Sequence, residues 1–133
     1  MADYMASLRD SIETSVSMGL FASPDAATRA HLGVSEPVKF PLSRFAKGSV
    51  DNFNPARLKA SAAAAYPPAD RPRGARDLAS VRHHAAAIAA GREPAPVWIL
   101  ARAGGFVLLD GAHRVVASHI AARRYVAAYV LAA

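Results

Sequence analysis

The chain has 133 residues, 53% of them hydrophobic and 20% charged, a length that suits one compact domain rather than two. It contains no cysteine, which excludes disulfide scaffolds, thiolate metal sites and cysteine nucleophiles. Sixteen Lys and Arg against ten Asp and Glu give a formal charge of +6, unevenly placed: residues 1–36 carry five acidic against two basic groups, and residues 37–133 carry fourteen basic against five acidic.

The N-terminal stretch is thus net −3 and the remainder net +9, a positive field that draws polyanions. Thirteen arginines against three lysines, beside 32 alanines, would also follow from a GC-rich coding bias, so charge alone does not name a ligand. No apolar run approaches the roughly 20 residues of a membrane span, and the start has no basic region leading into an apolar one. The expectation is a soluble, cytoplasmic, unprocessed chain with no membrane partner.

Met5, Leu8, Ile12 and Val16 recur at spacings of three and four and predict an amphipathic helix over residues 2–20 with that stripe buried. Ser23-Pro24-Asp25 is an N-cap, a proline at the first helical position and an acid in the first turn. With Gly33 as a stop, it predicts a second helix over 24–32. These two helices form an acidic arm, residues 1–36, suited to covering the domain or to pairing two copies of the chain as a homodimer. Residues 37–42 alternate around Val38, Phe40 and Leu42, and their prolines fit an edge strand.

Asn54-Pro55 opens an alanine-rich helix over 55–65 that Tyr66-Pro67-Pro68 must end. A proline- and arginine-rich loop follows up to Ala75. Leu78, Val81, Ala85 and Ile88 share one face of a helix over 77–90, with His83 pointing away from that face and His84 flanking it. Two apolar runs, 97–100 and 106–109, joined by Gly104-Gly105, read as a β-hairpin. A helix over 112–124 with Val116 and Ile120 buried and a strand over 125–131 complete the chain. The order strand, helix, strand implies a crossover with a parallel pairing. The fold class expected is α+β: a small mixed β-sheet with flanking helices, preceded by the helical arm.

The residues that carry chemistry are Asp110-Gly111-Ala112-His113-Arg114, where a buried strand turns into a helix. The first amides of a helix lack intrahelical acceptors and the dipole adds about half a positive charge there, which suits an anion. Gly111 lets that anion approach the backbone, Arg114 adds a planar charged fork, and His113 adds a donor that titrates near neutrality. The same spacing also fits Asp110 as a simple helix cap with His113 and Arg114 solvated beside it.

The run from Leu78 to Leu131 resembles the ParB/sulfiredoxin superfamily, in a form with Asp-Gly-x-His-Arg at the motif. The corresponding parts are Gly91 to Pro96, Val97 to Leu100, Phe106 to Leu109, residues 110–114 and Tyr125 to Leu131, with the edge strand 38–42 as a plausible family start. The resemblance implies a nucleotide-binding domain over 37–133. ATP or CTP with Mg2+ would have its phosphates cradled by Gly111, Ala112, His113 and Arg114, and the activities implied are nucleotide hydrolysis or small-molecule phosphorylation. It implies Asp110 as a base or metal partner, His113 as its neighbour at the reacting phosphate, and Glu36 near the edge strand as a second acidic base, although a lone surface glutamate explains Glu36 as well.

Ala112 stands where sulfiredoxins place their catalytic cysteine, so sulfinic-acid reduction is excluded. Ala112 and His113 also replace the two middle residues of the Gly-Glu-Arg-Arg motif of chromosome-partition ParB proteins, which argues against clamping on centromere DNA. Arg71, Arg73 and Arg76 form the densest basic cluster, a phosphate or nucleic-acid contact or else a solvated loop. His83 and His84 are neighbours about 100° apart on a helix and cannot chelate one metal, so no protein-held metal is expected. His119 reads as packing. Two other functions stand beside nucleotide binding: a non-catalytic DNA- or RNA-binding regulator of plasmid or phage type, and a ParB-like nuclease.

Overall fold

The computed structural model describes residues 2–44, 75–103 and 105–132. The expected helix over 55–65 and the loop carrying Arg71 and Arg73 lie outside these residues. In chain order the elements are helix α1 (Ala2–Ser17), α2 (Pro24–Leu32), strand β1 (Val38–Pro41), a 3-10 turn (Leu42–Arg44), α3 (Ala75–Ala89), β2 (Val97–Arg102), β3 (Gly105–Asp110), α4 (Ala112–Ile120) and β4 (Tyr125–Ala132). The four strands form one mixed sheet in the order β1-β4-β2-β3, which is the expected α+β class with the arm helical.

Sheet register follows from burial. Val97, Trp98, Ile99 and Leu100 are all buried, an unbroken apolar run that requires a central strand covered on both faces. β2 pairs antiparallel with β3, Leu100 opposite Val107 and Trp98 opposite Asp110, with a register shift between Trp98 and Ile99. On its other side β2 pairs parallel with β4, Trp98 beside Tyr129 and Leu100 beside Leu131. The sheet does contain a parallel pair, but it joins β2 to β4 and not the two strands of the strand-helix-strand order from which it is expected. β3 and β4, which flank α4 in sequence, run in opposite directions and are not neighbours. β1 lies at the sheet edge, where the missing N–H of Pro41 is tolerated.

The chain divides into two compact units. The first comprises Met1–Val38, Ala95–Gly111 and Ala127–Ala133. Its core joins Leu8 of α1 to Trp98 and Leu100 of β2, Leu109 of β3 and Leu131 of β4, with Tyr4, Ile12, Phe21 and Tyr129 packed around them. Of the predicted apolar stripe of α1, Leu8 is buried and Ile12 packs beside it, but the helix is rotated so that the serines next to them also face inward and Met5 does not. Met5 is 56% exposed, whereas Ser7, Ser11 and Ser15 are buried. Each of these hydroxyls is hydrogen-bonded, Ser7 to Asp110, Ser11 to His31 and Ser15 to the Ile12 carbonyl, which lets a small polar group occupy the interior.

The second unit comprises Lys39–Pro94 and Ala112–Val126. Here α3 packs on α4: Val81 and Ile88 are buried on α3, and residues Val115 to Ser118 are buried on α4. Val116 is buried as expected, while Ile120 is half-buried.

α4 ends four residues before its expected limit because it closes in a Schellman motif. The Arg123 amide bonds the Ser118 carbonyl at 2.9 Å, the Ala122 amide bonds that of His119 at 3.0 Å, and Ala122 takes φ +58°. α1 and α3 close with the same bond pattern, but with Gly19 (φ +70°) and Gly91 (φ +90°) at the left-handed position. Alanine strains that position and hides the stop signal. Ala122→Gly is expected to stabilise the protein by about 0.5–1 kcal/mol, strain relief exceeding the added chain entropy, as read from denaturant midpoints at unchanged m-value.

Candidate functional site

The backbone at residues 110–112 sets the local geometry. β3 ends at Asp110, α4 begins at Ala112, and Gly111 between them adopts φ +113°, a conformation that side chains with a Cβ rarely take. Gly111 occupies the N-cap position and brings no side-chain acceptor of its own. The contrast with α2 is informative, since Ser23 at that helix start accepts the Ala26 amide through its hydroxyl at 3.1 Å. α2 thus caps its own first amides with a side chain, while α4 is headed by a residue that has none to offer. The apolar pattern of α4 adds that Val115 to Ser118 are buried, so the motif occupies its first, half-buried turn.

Asp110 is half-buried in the first unit, one residue outside the cap position. Its Oδ2 accepts the hydroxyl hydrogen of Ser7 at 2.6 Å, a short charge-assisted bond between residues 103 positions apart. In the second unit, His113 is joined through Nδ1 to Ser80 Oγ of α3 at 2.9 Å, and its Nε2 is buried. This bond ties the first turn of α4 to α3. Arg114 follows on the same turn, half-buried.

No protein-family model matches the chain. No curated protein matches it. Among solved structures, the crystal structure of sulfiredoxin from Arabidopsis thaliana is similar with a TM-score of 0.48 at 14% sequence identity, over 74% of this chain and 88% of that one.

The remaining candidates are scattered. Glu36 is exposed in the bend before β1. Arg76 lies in the first turn of α3, inside the helix and not in the loop before it, and Arg71 and Arg73 lie outside the described residues. His83 is exposed and His84 half-buried, their rings edge-to-face at 5.6 Å, and His119 is half-buried in the last turn of α4. Among the described residues no three His, Asp or Glu side chains gather as a metal-holding group, and no helix is long and apolar enough to cross a membrane. Glu93 and Arg123 form a surface ion pair in which Nη2 meets both carboxylate oxygens, at 2.8 and 3.0 Å.

Two site residues escape a reading of the motif alone, Ser7 and Ser80. Ser80 carries no distinguishing signal. Ser7 does: serines 7, 11 and 15 recur every fourth residue, the spacing of one helix face, and that polar stripe runs beside Leu8 and Ile12 on the buried side.

Proposed function

We propose that this chain is a ParB/sulfiredoxin-like nucleotide-binding domain that seats the phosphates of ATP or CTP, with Mg2+, on the turn of residues 110–114. The observation that carries the reading is Gly111 at φ +113° heading α4, with Arg114 one turn in. A residue without Cβ lets a phosphate reach the helix start, where the dipole favours negative charge, and the guanidinium fork matches two phosphate oxygens. His113, held by Ser80, fixes the turn against α3, and Asp110, held by Ser7, presents a carboxylate beside Gly111 in sequence.

The order of helix, Gly91, hairpin, motif turn, helix and strand supports the resemblance stated for Leu78 to Leu131. A carboxylate, backbone amides and one arginine fit a magnesium ion carried mainly by the nucleotide's own phosphates and not by a protein cage. The magnesium would neutralise phosphate charge. The chemistry such a turn supports is phosphoryl transfer, in which positioning and charge do most of the work: an attacking oxygen bonds the terminal phosphorus as the bridging P–O bond to the diphosphate breaks.

A thermal-shift panel of ATP, ADP, CTP and GTP with magnesium tests this reading. A nucleotide at 100 times its Kd stabilises the native state by about 2.7 kcal/mol, which raises Tm by several degrees. ATP or CTP is expected to give that rise. A Tm unmoved by all four nucleotides contradicts the reading.

A further inference from the structure

A buried histidine that the nucleotide site does not use sits between the two arm helices. His31 on α2 is fully buried, its Nδ1 2.7 Å from the Ala27 carbonyl and its Nε2 2.7 Å from Ser11 Oγ on α1. A carbonyl can only accept, so Nδ1 carries the hydrogen and Nε2 accepts the Ser11 hydroxyl. The neutral ring thereby satisfies both nitrogens and bridges α2 to α1. A second proton on Nε2 would oblige the Ser11 hydroxyl to turn and accept where it had donated, and would place a charge in a site walled by Phe21, at 6.3 Å between ring centroids, and by Trp98 of β2, at 5.0 Å, with no carboxylate among the described residues bonded to the ring.

One turn before Ser11 on the same helix, Ser7 donates to Asp110 of β3, and Asp110 stands opposite Trp98 in the β2–β3 register. We propose that His31 is an acid-sensitive latch: neutral, it fixes α2 to α1, and through α1 and Ser7 it holds Asp110; protonated, it loosens both. The consequence for Asp110 rests on the function proposed above, whereas the latch itself does not.

The groups around the ring allow this. Ser11 faces it from α1, Phe21 from the α1–α2 connection and Trp98 from β2, and the phenols of Tyr4 and Tyr129 stand against Trp98 in turn. Arg9, Asp10 and Glu13 of α1 and Asp25 and Arg29 of α2 are exposed, and Asp110 on β3 is already engaged by Ser7. Burial pushes the His31 pKa below its ordinary value of 6.5, and the bond to Ala27 offsets this in part. The undocked arm therefore binds the extra proton. Docking is strongest above about pH 6.5 and weakens as pH falls below it, by at most about tenfold per pH unit, in a window above the carboxylate range.

The test is a pH series on the full chain from about pH 7.5 to about pH 5.5, following imidazole 15N shifts, backbone hydrogen-exchange protection and the fluorescence of Trp98, the chain's single tryptophan. The expected result is an Nδ1–H tautomer at the high end. As the pH drops below about 6.5, protection in α1 and α2 falls while that of β2 holds, and Trp98 emission changes in step. His31→Gln, which keeps one donor and one acceptor, is expected to flatten the pH dependence.

An Nε2–H tautomer overturns the proposal, as does arm protection that stays level across the series in the wild type. The wild-type measurements decide it even if the variant does not fold. Nucleotide-induced thermal shifts across the same series separate the two claims. No shift at any pH removes the nucleotide reading and leaves the latch to the exchange data, while a shift that persists unchanged as the arm loosens removes the coupling to Asp110.

Discussion

Trp98→Ala should lower the stability of the protein by about 3–5 kcal/mol, a large share of the roughly 5–15 kcal/mol that holds an ordinary domain folded. The indole is fully buried in the central strand. It stacks on Tyr129 at 4.5 Å between centroids, meets Tyr4 at 6.3 Å and contacts His31 at 5.0 Å. Truncation removes the largest side chain of the first unit's core and leaves a cavity that the neighbouring strands cannot close, because Leu100 and Leu131 are fixed by the β2–β4 register.

A milder variant separates packing from polarity. Among the described residues no acceptor meets the buried Trp98 Nε1. Trp98→Phe keeps most of the aromatic volume and deletes that donor, so its cost should be less than about half that of the alanine variant. Urea unfolding of the three proteins measures both. A Trp98→Ala cost below about 1 kcal/mol would mean that α1 and α2 do not seal this face of the sheet.

How much of this could be read beforehand depends on how local each determinant is. The start of α2 is legible to the residue, because Ser23, Pro24 and Asp25 settle it within one turn: the cap bonds the Ala26 amide, the proline supplies its φ, and the acid meets the dipole. The hairpin is legible for the same reason, two apolar runs around paired glycines. The end of α4 is hidden because Ala122 adopts a left-handed conformation that sequence patterns assign to glycine.

Contacts between distant residues were out of reach. The face α1 buries is chosen by Ser11 meeting His31 and Ser7 meeting Asp110, partners 20 and 103 positions away, and these outweigh the burial of Met5. The placement of β4 beside β2, away from β3, likewise depends on which strands collapse together and not on any one segment's pattern. At the motif, the strand-to-helix turn was legible from Asp110-Gly111, whereas the positive φ of Gly111 was not. The serines that hold Asp110 and His113 were not, since each is a single small polar residue on another helix.

Nucleotide binding as proposed depends most on Arg114. Its guanidinium is permanently charged and presents paired N–H groups that match phosphate oxygens, and it sits half-buried on the first turn of α4, where the helix dipole adds to its field. Charge-assisted bonds of this kind are worth about 1.5–3 kcal/mol, so deleting the fork should cost a bound nucleotide at least about 1.4 kcal/mol, a tenfold loss of affinity. The direct measurement is calorimetric titration of Mg-ATP and Mg-CTP into the wild type and into Arg114→Ala, with the fold of the variant verified by its unfolding midpoint. At least one nucleotide should bind the wild type and bind the variant at least about tenfold more weakly. No heat of binding to the wild type, or superimposable isotherms for the two proteins, would contradict the account.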